Sequence, residues 1–303
     1  MATIILVTII IYHCVSVIYS NEKKDDFLTS IAIYITIGAN QKLKKDFRGK
    51  FWETQLPNPH LDCKIHYVSD APFKINNITK CLVPKSAYID KINDKIYCQR
   101  TFLGWEHFLI HHKEIKWYFR GIHDTFLNLT NLADLLKNIE KTHDPMKEEI
   151  AVYGAHEVAG NYYPQGGGGF LLSHGALKKL YKYKNEFHQI CPIQNDDLAL
   201  GVMLESFLGI NISENASDRF IATWPYEFID EILTKNYTSF VKCPQYYRMH
   251  YNSSYLKPIR VESCVSFHMH GIDMDVALEL LKSSPKNLFV YYTESASPRF
   301  CFP

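Results

Sequence analysis

The chain has 303 residues, with 33 Lys and Arg against 32 Asp and Glu and a formal charge of +1. That length admits one large domain or two small ones, and the balanced charge leaves no electrostatic footprint for nucleic acid. Its 20 Tyr and 18 Phe suit a large core with a partly aromatic surface cleft, but they name no ligand.

Residues 2–19 are almost wholly apolar, broken mainly by His13 and a few hydroxyls. The run is close to the minimum membrane-span length of about 18 residues. No Lys or Arg precedes it, so the basic start of a standard signal peptide is missing. Ser20 suits a cleavage site, whereas Ile18 does not; Lys23 and Lys24 are offset by Asp25 and Asp26, which sets orientation poorly. Residues 1–20 are therefore expected to be a signal peptide or a signal-anchor, with a buried strand or helix as the alternative. Residues 28–303 are expected to form one domain.

Residues 30–37 are β-branched and aromatic, which predicts a strand. Residues 41–55 have helical spacing and end before Pro57, which predicts a helix. A second strand is predicted over 64–68, running into Ser69-Asp70-Ala71-Pro72, then a helix over 101–110 and a third strand over 115–119. Residues 125–139 predict a helix with Leu129, Leu132, Leu135 and Leu136 on one face. Strands alternating with helices argue for an α/β sheet covered by helices. Ligands of such sheets bind at the carboxyl ends of strands, where Asp70 and Asp124 fall. Residues 213–262, rich in Tyr, Asn and Pro, break the pattern and are expected to be an irregular insertion or lid.

Four motifs carry chemistry. In Lys116-Trp117-Tyr118-Phe119-Arg120-Gly121-Ile122-His123-Asp124, a strand delivers a carboxylate to its end. Carboxylate oxygens suit Mg²⁺ or Mn²⁺, although taken alone Asp124 better suits the cap of the next helix. Four consecutive glycines, 166–169, disfavour helix or strand and permit close backbone approach to a ligand. They lead directly into Phe170-Leu171-Leu172-Ser173, and without a Gly-Lys-[Ser/Thr] end they are not a phosphate-binding P-loop. Asn195-Asp196-Asp197 precedes an apolar helix over 198–208; either acid could be a cap, or one of the pair a general base. In Phe267-His268-Met269-His270 the two histidines share a face if the segment is a strand, which makes a metal ligand plausible.

Two features favour the secretory pathway. N-x-[Ser/Thr] sequons occur at Asn77, Asn128, Asn211, Asn215, Asn236 and Asn252; Asn128 closely follows the first motif and is the least suited to carry a glycan. Seven cysteines follow the apolar start: Cys63, Cys81, Cys98, Cys191, Cys243, Cys264 and Cys301. None forms a C-x-x-C pair, which disfavours zinc. In an oxidising lumen they predict two or three disulfides with at least one cysteine left over.

These residues, in this order, resemble the Fringe-like glycosyltransferases, the group that also contains the core 1 β1,3-galactosyltransferases. The resemblance covers roughly residues 30–212 and 263–282. Lys116-Trp117-Tyr118-Phe119 with Asp124-Thr125-Phe126 and Asn128 is similar to the family's Lys-Trp-Phe strand, acidic triplet and following helix. Gly166-Gly167 with Gly169-Phe170 and Ser173 is similar to its Gly-Gly-Ala-Gly-Phe segment, and Asp196-Asp197 with Gly201 to its Asp-Asp-x-x-x-Gly segment. Phe267-His268-x-His270 is similar to Fringe proper. Ile33 to Thr36, Trp52, and Ile65 to Asp70 are similar to the first strand, the end of the first helix and the strand ending in Thr-Asp. The triplet departs from the family: three acids are usual, and here it reads Ile122-His123-Asp124.

The resemblance implies a single GT-A-like α/β domain, a mixed twisted sheet with helices on both faces. It implies an inverting β1,3-glycosyltransferase moving a sugar from a UDP-sugar, UDP-GlcNAc or UDP-Gal, to a glycan acceptor on glycoproteins. Mn²⁺ or Mg²⁺ would be held by Asp124 and His268. Asp197 would be the catalytic base, and Thr36, Asp70, Asp124, Gly166 and Gly167 would bind the donor. The Golgi or ER lumen is the expected location, with membrane attachment through the N-terminal segment if it is uncleaved; a homodimer is left open. Because the family includes an inactive, chaperone-like member lacking the acidic motif, the alternative is a non-catalytic glycoprotein-binding partner.

Overall fold

The computed structural model describes residues 29–38, 64–70, 74–75, 79–80, 82–83, 96–158, 161–217, 219–221, 233–235, 241–242, 247–248, 255–256, 259–268, 287–292 and 298–302. The apolar segment 1–20, the predicted helix over 41–55, Asn77, Asn236, Asn252, Cys63, Cys81, Cys243 and His270 lie outside these residues.

Strand β1 (Ile31–Ile37) alternates β-branched with other apolar residues, and all seven residues are buried. A strand buried on both faces must have cover on both. Strand β2 (Lys64–Ser69) begins exposed and ends buried. Helix α1 (Ile96–His111) starts five residues before the predicted 101, and strand β3 (Trp117–Ile122) runs past the predicted 119 to Ile122. Strand β4 (Thr125–Leu127) and helix α2 (Leu129–Ile139) replace the single helix predicted over 125–139. Asn128 caps α2, its Oδ1 accepting the Asn131 N–H at 3.1 Å. Thr125-Phe126-Leu127 is β-branched and aromatic, and it pairs with a distant strand instead of extending the helix.

Strand β5 (Ala151–Tyr153) is followed by a hairpin of β6 (Ala155–Val158) and β7 (Asn161–Pro164). Strand β8 (Phe170–Ser173) leads into helix α3 (His174–Lys182), with the Ser173 hydroxyl accepting the Ala176 N–H. Helix α4 (Lys184–Gln194) and helix α5 (Asp196–Met203) follow. The predicted helix over 198–208 thus begins two residues earlier and ends in a π-helical turn, Leu204–Leu208, stopped by Gly209 at φ 69°.

The main sheet has the order β2-β1-β3-β8-β5. Strands β2, β1 and β3 are parallel, while β8 runs antiparallel to both its neighbours. The fold is therefore mixed α/β, as expected. Ala32, Tyr34, Val68, Tyr118 and Leu172 from the sheet pack with Trp105, Phe108, Leu177, Leu180 and Leu200 from the helices. A disulfide joins Cys98 of α1 to Cys191 of α4, and Cys264 is a buried free thiol.

A second sheet sets β9 (Phe220–Ile221) beside β10 (Ser266–His268), which pairs antiparallel with β4. Within 213–262, Val241–Lys242 and Ile259–Arg260 join Phe289–Tyr292 and Pro298–Phe302 in a four-stranded sheet. Among the described residues no helix is long and apolar enough to cross a membrane.

Candidate active site

The parallel strands bring Thr36, Ser69 and Ile122 to one sheet edge, and Thr36 pairs in register with Ile122. Because β8 is antiparallel and begins opposite Arg120, the preceding glycines come to the same edge. The second sheet adds His268, whose register partner is Thr125.

Asp124 lies in the turn between β3 and β4. Its Oδ2 is 3.2 Å from His268 Nε2, and the two side chains are 14% and 10% exposed. Its Oδ1 is buried and has no hydrogen-bond partner among the described residues. Asn128, not Asp124, caps α2, so the capping role open to Asp124 in the sequence is filled by another residue. Burial alone would raise the Asp124 carboxyl. The hydrogen bond and charge of His268, with a smaller effect from His123, outweigh it and hold the group below its ordinary value.

Gln165 orients the His268 ring. Its Oε1 accepts the Gly168 N–H at 2.6 Å, which leaves its amide nitrogen, 3.3 Å from His268 Nδ1, as the donor to that ring. His268 Nε2 is then the nitrogen that donates to Asp124. Gly167 lies against the same ring: a Cβ there would be 2.5 Å from His268 Cγ and Cε1 and nearer still to Nδ1. The Gly167 carbonyl accepts from Thr125 Oγ1 at 2.7 Å, and the Gly168 carbonyl accepts from the Ser266 hydroxyl. The glycine turn is therefore pinned from two sides.

The paired acids play different parts. Asp196 is 6% exposed, and its Oδ2 accepts from Arg120 Nη2 and Thr101 Oγ1, both at 2.6 Å. An acid held in a buried ion pair is poorly placed to take a further proton. Among the described residues Asp197 accepts from backbone N–H groups, Gly166 at 3.3 Å and Leu198 at 2.9 Å, at the start of α5. Burial pushes its carboxyl up and the Asp196 charge pushes it further, with Arg120 and the backbone donors opposing. A raised carboxyl is the better general base near neutral pH.

Asp124, His268, Gly167, Gly166 and Asp197 thus form one continuous chain of contacts. Thr36 is 4% exposed, and its hydroxyl donates to the Gly121 carbonyl at 3.3 Å. Asp70 follows β2, two strands or roughly 10 Å from β3, with Oδ1 accepting from Ser69 Oγ at 3.2 Å. Its charge favours the protonated form of buried Arg100, although burial, the larger influence, lowers that guanidinium. Sequence reasoning did not single out Arg120, Thr101, Arg100 or Gln165. The one available signal for Arg120 was a charge inside the apolar run Trp117-Tyr118-Phe119.

The arrangement is a mixed α/β sheet with a carboxylate, a histidine and a backbone turn at its strand ends and a second carboxylate at the start of α5. The Fringe-like family model matches residues 67–276, so the chain belongs to the Fringe-like family. Membership supports glycosyltransferase activity, and with it a sugar donor and an acceptor. Among solved structures, a glycosyltransferase involved in the glycosylation of the major capsid of PBCV-1 aligns with 84% of this chain and 100% of its own, at 11% identity and a TM-score of 0.40, too slight a likeness to carry an argument. No curated protein matches the sequence.

Proposed function

We propose that this chain is an inverting β1,3-glycosyltransferase that moves a sugar from UDP-GlcNAc or UDP-Gal to a glycan acceptor on glycoproteins, in the lumen of the secretory pathway. The observation that carries the reading is the buried Oδ1 of Asp124, without a hydrogen-bond partner among the described residues and separated from the Asp197 carboxylate by the Gly166-Gly167 backbone. An unpaired buried carboxylate oxygen is costly, and a divalent cation bound with the donor diphosphate would satisfy it. Asp124 and His268 fit such an ion as one hard oxygen and one imidazole nitrogen. Ligation through His268 Nε2 would require its proton to move to Nδ1 and the Gln165 contact to rearrange to accept it.

Asp197 takes the proton of the acceptor hydroxyl. That oxygen forms its bond to the anomeric carbon from the face opposite UDP, as the bond to the diphosphate oxygen breaks. Configuration inverts, and UDP leaves with the bonding electron pair. A divalent cation held by Asp124 and His268 would supply charge neutralisation for the leaving diphosphate. Arg120 does not meet substrate in this reading. It holds Asp196 and the Gly166 carbonyl at 3.1 Å, and so keeps the turn beneath Asp197 in place.

The test is turnover of a panel of UDP-sugars by the purified chain, with and without Mn²⁺, beside Asp124→Ala. Turnover that needs Mn²⁺ and is lost in Asp124→Ala, with melting nearly unchanged, supports the enzyme. Absence of UDP-sugar binding in the parent protein at saturating Mn²⁺ sinks it and leaves the chaperone-like reading. Ile122 and His123, in place of two acids, are the residues that favour that second reading.

A further inference from the structure

Away from this edge, three histidines converge where β2 meets the end of α1. His66 lies near the start of β2, His107 in the last turns of α1, and His112 just beyond it. One nitrogen of each lies within 4.8 Å of the others. His66 Nε2 and His112 Nε2 are 2.7 Å apart, and the His66 ring centroid is 4.6 Å from that of His107. His112 is buried, while His66 and His107 are half-buried, so an ion has a route in.

The geometry points to a zinc site formed by His66, His107 and His112, separate from the Asp124 site and different in preference. Three imidazoles are borderline nitrogen ligands that suit zinc, whereas Mn²⁺ and Mg²⁺ favour oxygen. In a tetrahedral site with Zn–N of about 2.0–2.1 Å, ligand nitrogens lie about 3.4 Å apart. The observed separations, 2.7 Å at the close pair and 4.8 Å at most, bracket that value. Water completes the set, as in open three-ligand sites.

The surroundings suit the ion. Burial, first, and the neighbouring histidines hold His66 down at about 3 and His107 at about 4, so both rings are neutral at physiological pH. Burial lowers His112 too, against the opposing charge of Glu114. Lys64 is the cation facing His66 and His112 and opposes the metal's charge, while Glu114 favours it. Tyr34 supplies the outer contact: its hydroxyl is 2.9 Å from His107 Nδ1 and can accept that ring proton, fixing the ring's orientation. Without metal, the close His66–His112 pair shares one proton as a hydrogen bond, which keeps the nitrogens poised.

An ion here would clip the edge strand β2 to α1, whose other ends carry Asp70 and the Arg100-Thr101 pair. The test is calorimetric titration of the full chain with zinc, beside Asp124→Ala, His66→Gln, His107→Gln and Tyr34→Phe. One tight zinc equivalent is expected in the parent and in Asp124→Ala, and a melting temperature that rises with zinc. His66→Gln and His107→Gln should lose that equivalent, and Tyr34→Phe should weaken it by about 10–100-fold. Should the glutamine variants misfold, cobalt added to Asp124→Ala should give the intense visible bands of a four-coordinate nitrogen site. No zinc binding by the parent, equal binding by the glutamine variants when folded, or only the weak bands of octahedral cobalt would overturn the site.

Discussion

Replacing Gly167 by Ala should uncouple Asp124 from its partner without touching either residue. The added Cβ would stand 2.5 Å from two His268 ring carbons, against a favourable carbon separation of about 3.5–4.0 Å. About 1 Å must be found. The backbone cannot readily give it, because the Gly167 and Gly168 carbonyls are held by Thr125 and Ser266 and the Gly168 N–H by Gln165. The ring therefore moves, and its 3.2 Å contact with Asp124 is lost. Overpacking of this kind costs about 1–3 kcal/mol, which for a domain of this size lowers Tm by about 2–5 °C. Binding of UDP with Mn²⁺ should weaken in parallel, read by calorimetry. A double-mutant cycle isolates the cause: in a His268→Ala background the ring is gone, so Gly167→Ala should cost little, leaving a coupling of about 1–3 kcal/mol. If Gly167→Ala melts and binds as the parent does, or costs as much in the His268→Ala background, the packing argument is wrong.

Asp197→Asn should lower kcat by about 10²–10⁴-fold while donor affinity is kept; an unchanged rate would move the base elsewhere. The same variant should be more stable than the parent at neutral pH. The raised Asp197 carboxyl means the folded state binds more protons than the unfolded chain, so its ionisation destabilises the fold as pH rises through the raised value. That advantage should vanish once pH falls below the ordinary carboxylate value; a pH-independent difference in melting refutes it. Arg120→Leu should destabilise the protein by about 3–5 kcal/mol, because Asp196 is left buried without its cation; a normal denaturant midpoint for this variant would show that Thr101 alone satisfies Asp196.

Legibility followed distance along the chain. Strand β1 was readable because a run with Ile at alternate positions, buried on both faces, leaves a local signature. The Leu129, Leu132 and Leu136 face of α2 was readable by period. The strand Thr125–Leu127 was not, because its partner Ser266–His268 lies in another part of the sequence and the local pattern runs smoothly into the helix. Asp124 and Asp197 could be named from motif order, yet their division of labour from Asp196 could not. It depends on Arg120, 76 residues before Asp196, crossing from a strand interior. The histidine cluster was hidden for the same reason: His66 meets His107 and His112 only once β2 packs beside α1.

The bond between Cys98 and Cys191 has a consequence for where this site can be built. It closes a span of 93 residues. One end lies in the turn of α1 that carries Arg100 and Thr101, the other in α4, just ahead of Asp196 and Asp197. The hydrogen bond from Thr101 to Asp196 is therefore made between two segments that the sulfurs already hold together. Both cysteines are buried, at 4% and 1% exposure, so reductants have poor access once the chain has folded. The acids thus carry a record of the chain's redox history: made in an oxidising compartment, they are tethered for the life of the molecule. A chain folded in a reducing cytosol would have to hold the same carboxylates by packing alone, and its specific activity would report where it was made.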